Sequence, residues 1–384
     1  MFMKIEINRE RLAATFAELC QISSPSRHEG TIARHLKKVF ADLGADSVYE
    51  DDSAPRTGSE SGNLIIRFNG TGAKMEGFFF SCHMDTVEPA QDVKVIRTGD
   101  IFTSSGDTIL GGDDKTGIAA VLELLTLLKE KAIPHPTLEI IITTCEEIGL
   151  LGAKNLEYGK LQTKFGYALD STGNNHVVVG APAANKIKVE LKGMAAHAGL
   201  CPEAGINALT LAAQGLSAIR MGRLDEESTR NFGMIQGGVA TNIVPERVIL
   251  RGEVRSHSLA KLAAYTDEIF TAFQKVVSDW QATAATGDNR PSVTFDIVDD
   301  YPPLSIAEDA PVLRKIRKAA EAGRKELRYI VAGGGSDANI FNGFGLPTAI
   351  VATGMDKVHT VNERLDLNDL VNLTELLYAL ATAE

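Results

Sequence analysis

No window of the 384-residue chain approaches ~20 uninterrupted apolar residues, the length a membrane-spanning helix needs, so nothing in it reads as crossing a bilayer. Basic runs are missing too. Against 50 Asp+Glu there are 39 Lys+Arg, a formal net charge of −11. Such a chain is a poor candidate for a nucleic-acid phosphate backbone or an anionic membrane surface, and neither is expected as a partner. Cysteine is scarce: Cys20, Cys82, Cys145 and Cys201 lie far apart and form no CxxC pair. Free buried thiols in a reducing cytoplasm are the expectation. Internal repeats and low-complexity tracts are absent; a polar stretch around 53–62 reads as a surface loop. The stretch MFMKIEINRERLAATF scatters charges and has no apolar core, which argues against a secretory signal and for a cytoplasmic protein.

What remains is an ordinary globular composition, 44% hydrophobic and 23% charged, long enough for two domains or one large domain with an insertion. Helical spacing covers 9–20 and 29–43, and Ile118, Val121, Leu122, Leu125 and Leu128 form one stripe of a further helix. NLIIRF (63–68), FFFSC (78–82), LEIIITTC (138–145) and FGYALD (165–170) are apolar on nearly every position, as strands are in a sheet covered by helices on both sides. From NKIKVELKG (185–193) the pattern changes to strict alternation, a strand with one wet face. A helix with Ile206, Leu209, Ala213 and Leu216 inward follows, then strands 231–239 and 247–256. A helix carrying Leu262, Tyr265, Ile269, Phe273, Val276 and Trp280 leads to strand 292–298. That β-α-β-β-α-β order is ferredoxin-like. After YPPL the α/β character returns, with helix 309–323, strands 328–331 and 346–353, and a C-terminal helix from Asp369. The fold class is therefore α/β, a mixed-sheet, three-layer domain with an inserted two-layer ferredoxin-like domain. The boundaries read 1–183 and 300–384 for the larger domain and 184–299 for the insert, with hinges near 183–185 and 299–303.

The polar residues of interest follow apolar strands, where open α/β sheets place ligand sites. His83 and Asp85 follow FFF, Glu146 and Glu147 follow LEIIITTC, Asp170 follows YAL, and His359 lies beyond AIVATG. Asp113 and Asp114 stand at the mouth of the helix after GGDDK. Singly, each has an ordinary explanation: an N-cap, a turn former, a solvated glutamate. Together they are two histidines and at least four carboxylates at one end of a sheet. Burying so much negative charge without compensation costs several kcal/mol per group, and a pair of divalent cations would neutralise it. Histidine and carboxylate without cysteine suit zinc, cobalt or manganese. An Asp two residues beyond His83 can accept its second ring N–H.

HMDTV, GGDDKTG, TTCEEIGLLGAK, ALDSTG, AAHAG and HTVNERLD resemble, in order and content, the zinc peptidase family of peptidase T, carboxypeptidase G and aminoacylase, and the likeness leans toward its peptidase T-like tripeptide aminopeptidases. It runs over essentially the whole chain. By that resemblance the larger domain is a catalytic dizinc domain of the zinc-exopeptidase type and the insert its lid and dimerisation domain. His83, Asp113 and Asp170 would hold one zinc; Asp113, Glu147 and His359 the other, with Asp113 bridging and a cis peptide after it. Asp85 would orient His83, and Glu146 would be the general base that takes a proton from the attacking water and passes it to the leaving amine. In this family an Asp at position 170 resembles the aminopeptidase and dipeptidase branch, a Glu the carboxypeptidase branch.

In the insert, His197 matches the family's transition-state histidine, which in dimeric members reaches the partner's site. Asn242 and Arg255 match residues that contact the substrate's carboxylate end, a group arginine grips in two-pronged fashion. The resemblance thus implies a short-peptide substrate and a homodimer through the insert. A dizinc deacylase or dipeptidase acting on another small amide is the alternative within this chemistry. A non-catalytic binding module would be marked by loss of a ligand or of the base, and none is lost. GGGSDAN (333–339) has no GK[ST] ending and is read as backbone near substrate rather than a phosphate loop.

Overall fold

The computed structural model describes residues 5–71 and 76–383; of the charged N-terminal stretch, residues 1–4 lie outside the described residues. The chain falls into two compact units. One is Met1–Gly180 with Leu304–Ala332 and Ser336–Glu384, the other Ala181–Pro303 with Gly333–Gly335. The glycine run thus belongs with the smaller unit rather than with the larger. Gly335 shows why: a Cβ there would lie 2.4 Å from the Tyr301 ring, so only glycine lets this backbone close on that ring.

The larger unit is built on a nine-stranded mixed sheet. Its centre is parallel: Leu138–Thr143, Phe78–His83, Gly166–Ser171 and Thr348–Ala352 lie side by side and point the same way. Side chains alternate across each strand. Phe78, Phe80, Ile140 and Ile142 join the main core with the long helices. Phe79 points the other way and meets Phe341 of the helix Asp337–Gly343 edge-on, ring centroids 5.6 Å apart. Helices thus cover both faces, which is why these strands are apolar throughout. Gly112–Glu130 is buried almost all round, beyond the expected stripe, because it packs between the sheet and the helices Arg9–Gln21 and Leu367–Thr382.

The stretch 53–62 lies at the surface only in part: Pro55, Arg56, Gly58 and Glu60 are exposed, but it contains the short helix Ala54–Thr57, and beside them Asp51, Ser53, Ser61 and Asn63 are buried. Their polar atoms satisfy one another; Asn63 Nδ2 donates to Asp51 Oδ2 at 2.8 Å and to the Gly152 carbonyl at 3.0 Å. The strands His176–Ala181 and Ile101–Ser104 also form, where no strand was expected.

In the smaller unit the strands Ser228–Gly237, Arg247–Ser256, Ala183–Lys192 and Ser292–Tyr301 lie in that order, all antiparallel, with Gly222–Arg223 added at one edge. Helices Ala208–Ser217 and Leu259–Ser278 pack on the sheet in the ferredoxin-like arrangement. The first presents Ala208, Leu211, Ala212 and Gly215 inward, not Leu209 and Ala213. Gly215 decides the face: a Cβ there would come within 2.3 Å of the Phe273 ring, so the helices meet at their smallest residue. Trp280 lies beyond the end of the second helix.

Candidate metal centre

Four parallel strands and one helix deliver the site. His83 is the last residue of Phe78–His83, Asp170 the fifth of Gly166–Ser171, and Glu146–Glu147 follow Leu138–Thr143. His359 lies on the loop after Thr348–Ala352, at φ 63°. Asp113 stands at the start of Gly112–Glu130, where its own φ/ψ and those of Asp114 are not helical, and the Asp113–Asp114 peptide is cis.

The structure brings five of the expected side chains together. His83 Nε2 is 3.1 Å from Asp113 Oδ1 and 4.0 Å from Asp170 Oδ1. His359 Nε2 is 3.2 Å from Asp113 Oδ2 and 3.1 Å from Glu147 Oε1. The two oxygens of Asp113 thus face two different histidines, one group on each side. Ligand atoms of His83, Asp113 and Glu147 all lie within 4.8 Å of one another.

The electrostatics are those of a crowded anionic site. Burial pushes the Asp170 carboxyl well above the usual range, and the Asp113 charge adds to it. Burial does the same to Glu146, opposed by His83 and reinforced by Asp170 and Asp337. Burial also raises Glu147, against the pull of His359. Burial would lower His83, but Asp113 and Asp85 outweigh it and hold the imidazole well above its ordinary value. Asp113, then Glu147, push His359 up to about 10. Asp113 itself is pulled below the carboxylate range: burial opposes this, but His359 and His83 prevail.

The donor set fits a cation. His83 Nδ1 lies 2.9 Å from the Asp85 backbone carbonyl, which can only accept, so Nδ1 carries the proton and Nε2 points at the carboxylates. Glu147 Oε1 is buried and, although 3.1 Å from His359 Nε2, lacks the alignment of a hydrogen bond with it. Acceptor atoms facing one another across a buried gap are what a divalent ion satisfies and a proton satisfies poorly.

A family model described as Peptidase family M20/M25/M40 matches residues 79–383. The chain belongs to this peptidase family. It is 39% identical over 375 residues to the YqjE protein of Bacillus subtilis (strain 168), covering 97% of this chain and 98% of that one. Among solved structures, the aminopeptidase PepT of Bacillus cereus ATCC 10987 superposes with a TM-score of 0.86 at 38% identity, and 98% of each chain is covered. A tripeptidase of Staphylococcus aureus subsp. aureus Mu50 superposes at 0.89 with 36% identity, again over 98% of each chain. The resemblance read in the motifs to peptidase T-like proteins of this family therefore holds.

Asp85 of this peptidase is placed otherwise than the spacing suggested. Its backbone carbonyl, not its carboxylate, meets His83 at hydrogen-bond distance; the nearer contact of carboxylate and ring is 3.5 Å. The carboxylate instead accepts the backbone N–H of Glu146 (2.9 Å) and of Glu147 (3.2 Å), and the Ser26 hydroxyl (2.6 Å). Cys145 is not part of the strand, which ends at Thr143 rather than 145. It follows the strand at φ 52°, and its buried thiol donates to Glu29. Two further carboxylates went unread. Glu363, within HTVNERLD, accepts the N–H groups of Gly111 (2.8 Å) and Asp113 (3.1 Å) and ties the His359 loop to the Asp113 turn. Asp337 is buried beside Thr143, whose hydroxyl donates to its Oδ2 at 2.5 Å, while Oδ1 is without a hydrogen-bond partner. Membership of a quoted motif was the only signal for either.

His197, Asn242 and Arg255 belong to the smaller unit. His197 and Asn242 are brought together: the Ala198 N–H donates to the Asn242 carbonyl, and His197 bridges Ile243. Arg255 is not with them. It lies near the opposite end of Arg247–Ser256, paired with Glu253 at 2.9 Å.

Proposed function

We propose that this chain is an aminopeptidase that removes the N-terminal residue of short peptides, using two divalent cations, zinc by the chemistry of the donors. The observation that carries the reading is the Asp113 carboxylate, with one oxygen toward His83 and the other toward His359. In this reading His83, Asp113 and Asp170 hold one ion, and Asp113, Glu147 and His359 the other. When bound, the ions supply the positive charge that polarises a scissile carbonyl and makes water nucleophilic near neutral pH. Glu146 takes the proton of the attacking water and passes it to the leaving amine. Burial keeps its carboxyl prone to hold that proton between the two transfers. Asp85 and Glu363 steady the backbone of Glu146–Glu147 and of Asp113 through the N–H groups described above.

Support for an amino-end, short-peptide preference comes from Asp170 and from similarity to an aminopeptidase and a tripeptidase over nearly the full chain. The smaller unit would act as lid, with Arg255 at the substrate's carboxylate. About eight strand residues separate the Asn242 end of Arg247–Ser256 from Arg255, roughly 27 Å at the rise of a strand. A short peptide does not span that, so His197 and Asn242 serve the substrate Arg255 touches only if they come from a second copy of the chain. A homodimer through the lid is therefore part of the reading, and the free cysteines suit a cytoplasmic setting. The test is hydrolysis of tripeptides with free and with acetylated N-termini by zinc-loaded protein. Free tripeptides are cleaved and acetylated ones are not; equal rates, or turnover of N-acyl amino acids alone, would overturn it.

A further inference from the structure

Four consecutive N–H groups where the chain leaves the strand Leu138–Thr143 are each taken by a side chain. Thr144 donates to Asn63 Oδ1 (3.2 Å), Cys145 to Glu29 Oε1 (3.0 Å), Glu146 to Asp85 Oδ1 (2.9 Å) and Glu147 to Asp85 Oδ2 (3.2 Å). One residue in this run is strained: Cys145 sits at φ 52°, where the Cβ of an L-residue crowds the following carbonyl. Both of its donors go to one atom, because its Sγ is also 3.3 Å from Glu29 Oε1. Glu29 and Cys145 are both fully buried. Glu29 occupies the N-cap of the helix Gly30–Leu43, yet its side chain makes no capping bond. It turns instead to Cys145, Ser59 and the Arg27 N–H.

We propose that Glu29 is a positioning residue for hydrolysis: by holding Cys145 in the left-handed conformation it sets the direction in which Glu146 and Glu147 leave the sheet. A single left-handed residue turns the chain sharply, so the side chains beyond it depend on that one conformation. Asp85 fixes the two glutamate N–H groups, but only after Cys145 has made the turn. Glu29 lies upstream of the segment that the family model matches, and no motif marks it. The inference rests on the reading of Glu146 as base and Glu147 as ligand.

The experiment compares E29A, E29Q, C145G and E29A/C145G with the zinc-loaded wild type. E29A lowers kcat by about 10²-fold with a much smaller change in KM, as misplacement of a catalytic group does. E29Q, which keeps an acceptor for Cys145, retains most of the activity. Glycine adopts positive φ without a Cβ clash, so C145G restores a large part of the kcat lost in the E29A background. A purely structural Glu29 would show the same loss with or without C145G, and that result, or wild-type kcat in E29A, overturns the proposal. Should E29A not fold, E29D, whose shorter side chain withdraws the acceptor, takes its place in the same set. Crystal structures of wild type and E29D read the geometry without turnover: Cys145 leaves positive φ in the variant if the proposal holds and stays there if it fails. A wild type that cleaves no peptide would sink the functional reading alone.

Discussion

Glu146 and Glu147 are adjacent in sequence and differ in surroundings. Glu147 has an oxygen 3.1 Å from His359 and close to His83 and Asp113, where an ion would use it. Glu146 is held high by burial, which suits a group that must accept and return a proton. Their substitutions should therefore fail differently. Glu146→Gln lowers kcat by about 10²–10⁴-fold while metal content stays as in the wild type. Glu147→Gln lowers metal occupancy, and its activity partly returns with excess zinc. Metal analysis beside steady-state kinetics separates the two; equal metal loss in both would remove Glu146 from its role as base.

At the scale of the element, the helix Pro311–Gly323 lays Lys315 over the Phe78 ring, with Nζ 4.8 Å from the centroid. Burial pulls this lysine down to about 8. Between about pH 8 and the ordinary lysine value near 10.4 the unfolded chain therefore binds a proton that the folded chain does not. The contribution to stability thus rises with pH across that window, and the penalty is fully present below it. Lys315→Met should stabilise the protein at pH 7 by about 1 kcal/mol, discounted for partial exposure and for the ring's attraction to the cation. The gain should vanish above about pH 10.4. Urea unfolding at the two pH values checks it. The helix itself was readable in the sequence because its apolar stripe recurs at helical spacing. In the helix Ala208–Ser217 Leu216 packs against the core as its spacing predicts, but Leu209 and Ala213 are exposed, because Gly215, not an apolar side chain, makes the closest approach.

For the whole molecule, the concentration of buried carboxylates and raised imidazoles has a thermodynamic consequence. Asp170, Glu146, Glu147, His83 and His359 all hold protons more tightly than ordinary groups in the metal-free protein. Cation binding must displace protons from those that become ligands. Titration of chelator-treated protein with zinc at pH 7, in buffers of different ionisation enthalpy, should show net proton release. Chelation should also lower Tm, since a ligand present at 100 times its Kd stabilises by about 2.7 kcal/mol. No proton release and an unchanged Tm would contradict the cation reading. Among the described residues no helix is long and apolar enough to cross a membrane.

The sequence by itself determined which strands are buried on both faces, the order of the two units along the chain, and the histidines and carboxylates gathered at the strand ends. Each leaves a local record, either a periodicity set by which face is covered or a short motif. Tertiary structure alone decided that Asp85 grips the Glu146–Glu147 backbone, that Ser53, Thr57 and Ser61 are buried within a partly exposed segment, and that Glu29 meets Cys145. Glu29 and Cys145 are 116 positions apart, and no spacing in the sequence relates them. Their bond is a hydrogen bond between buried polar groups, and such bonds follow from where the fold brings donors and acceptors rather than from any repeat along the chain.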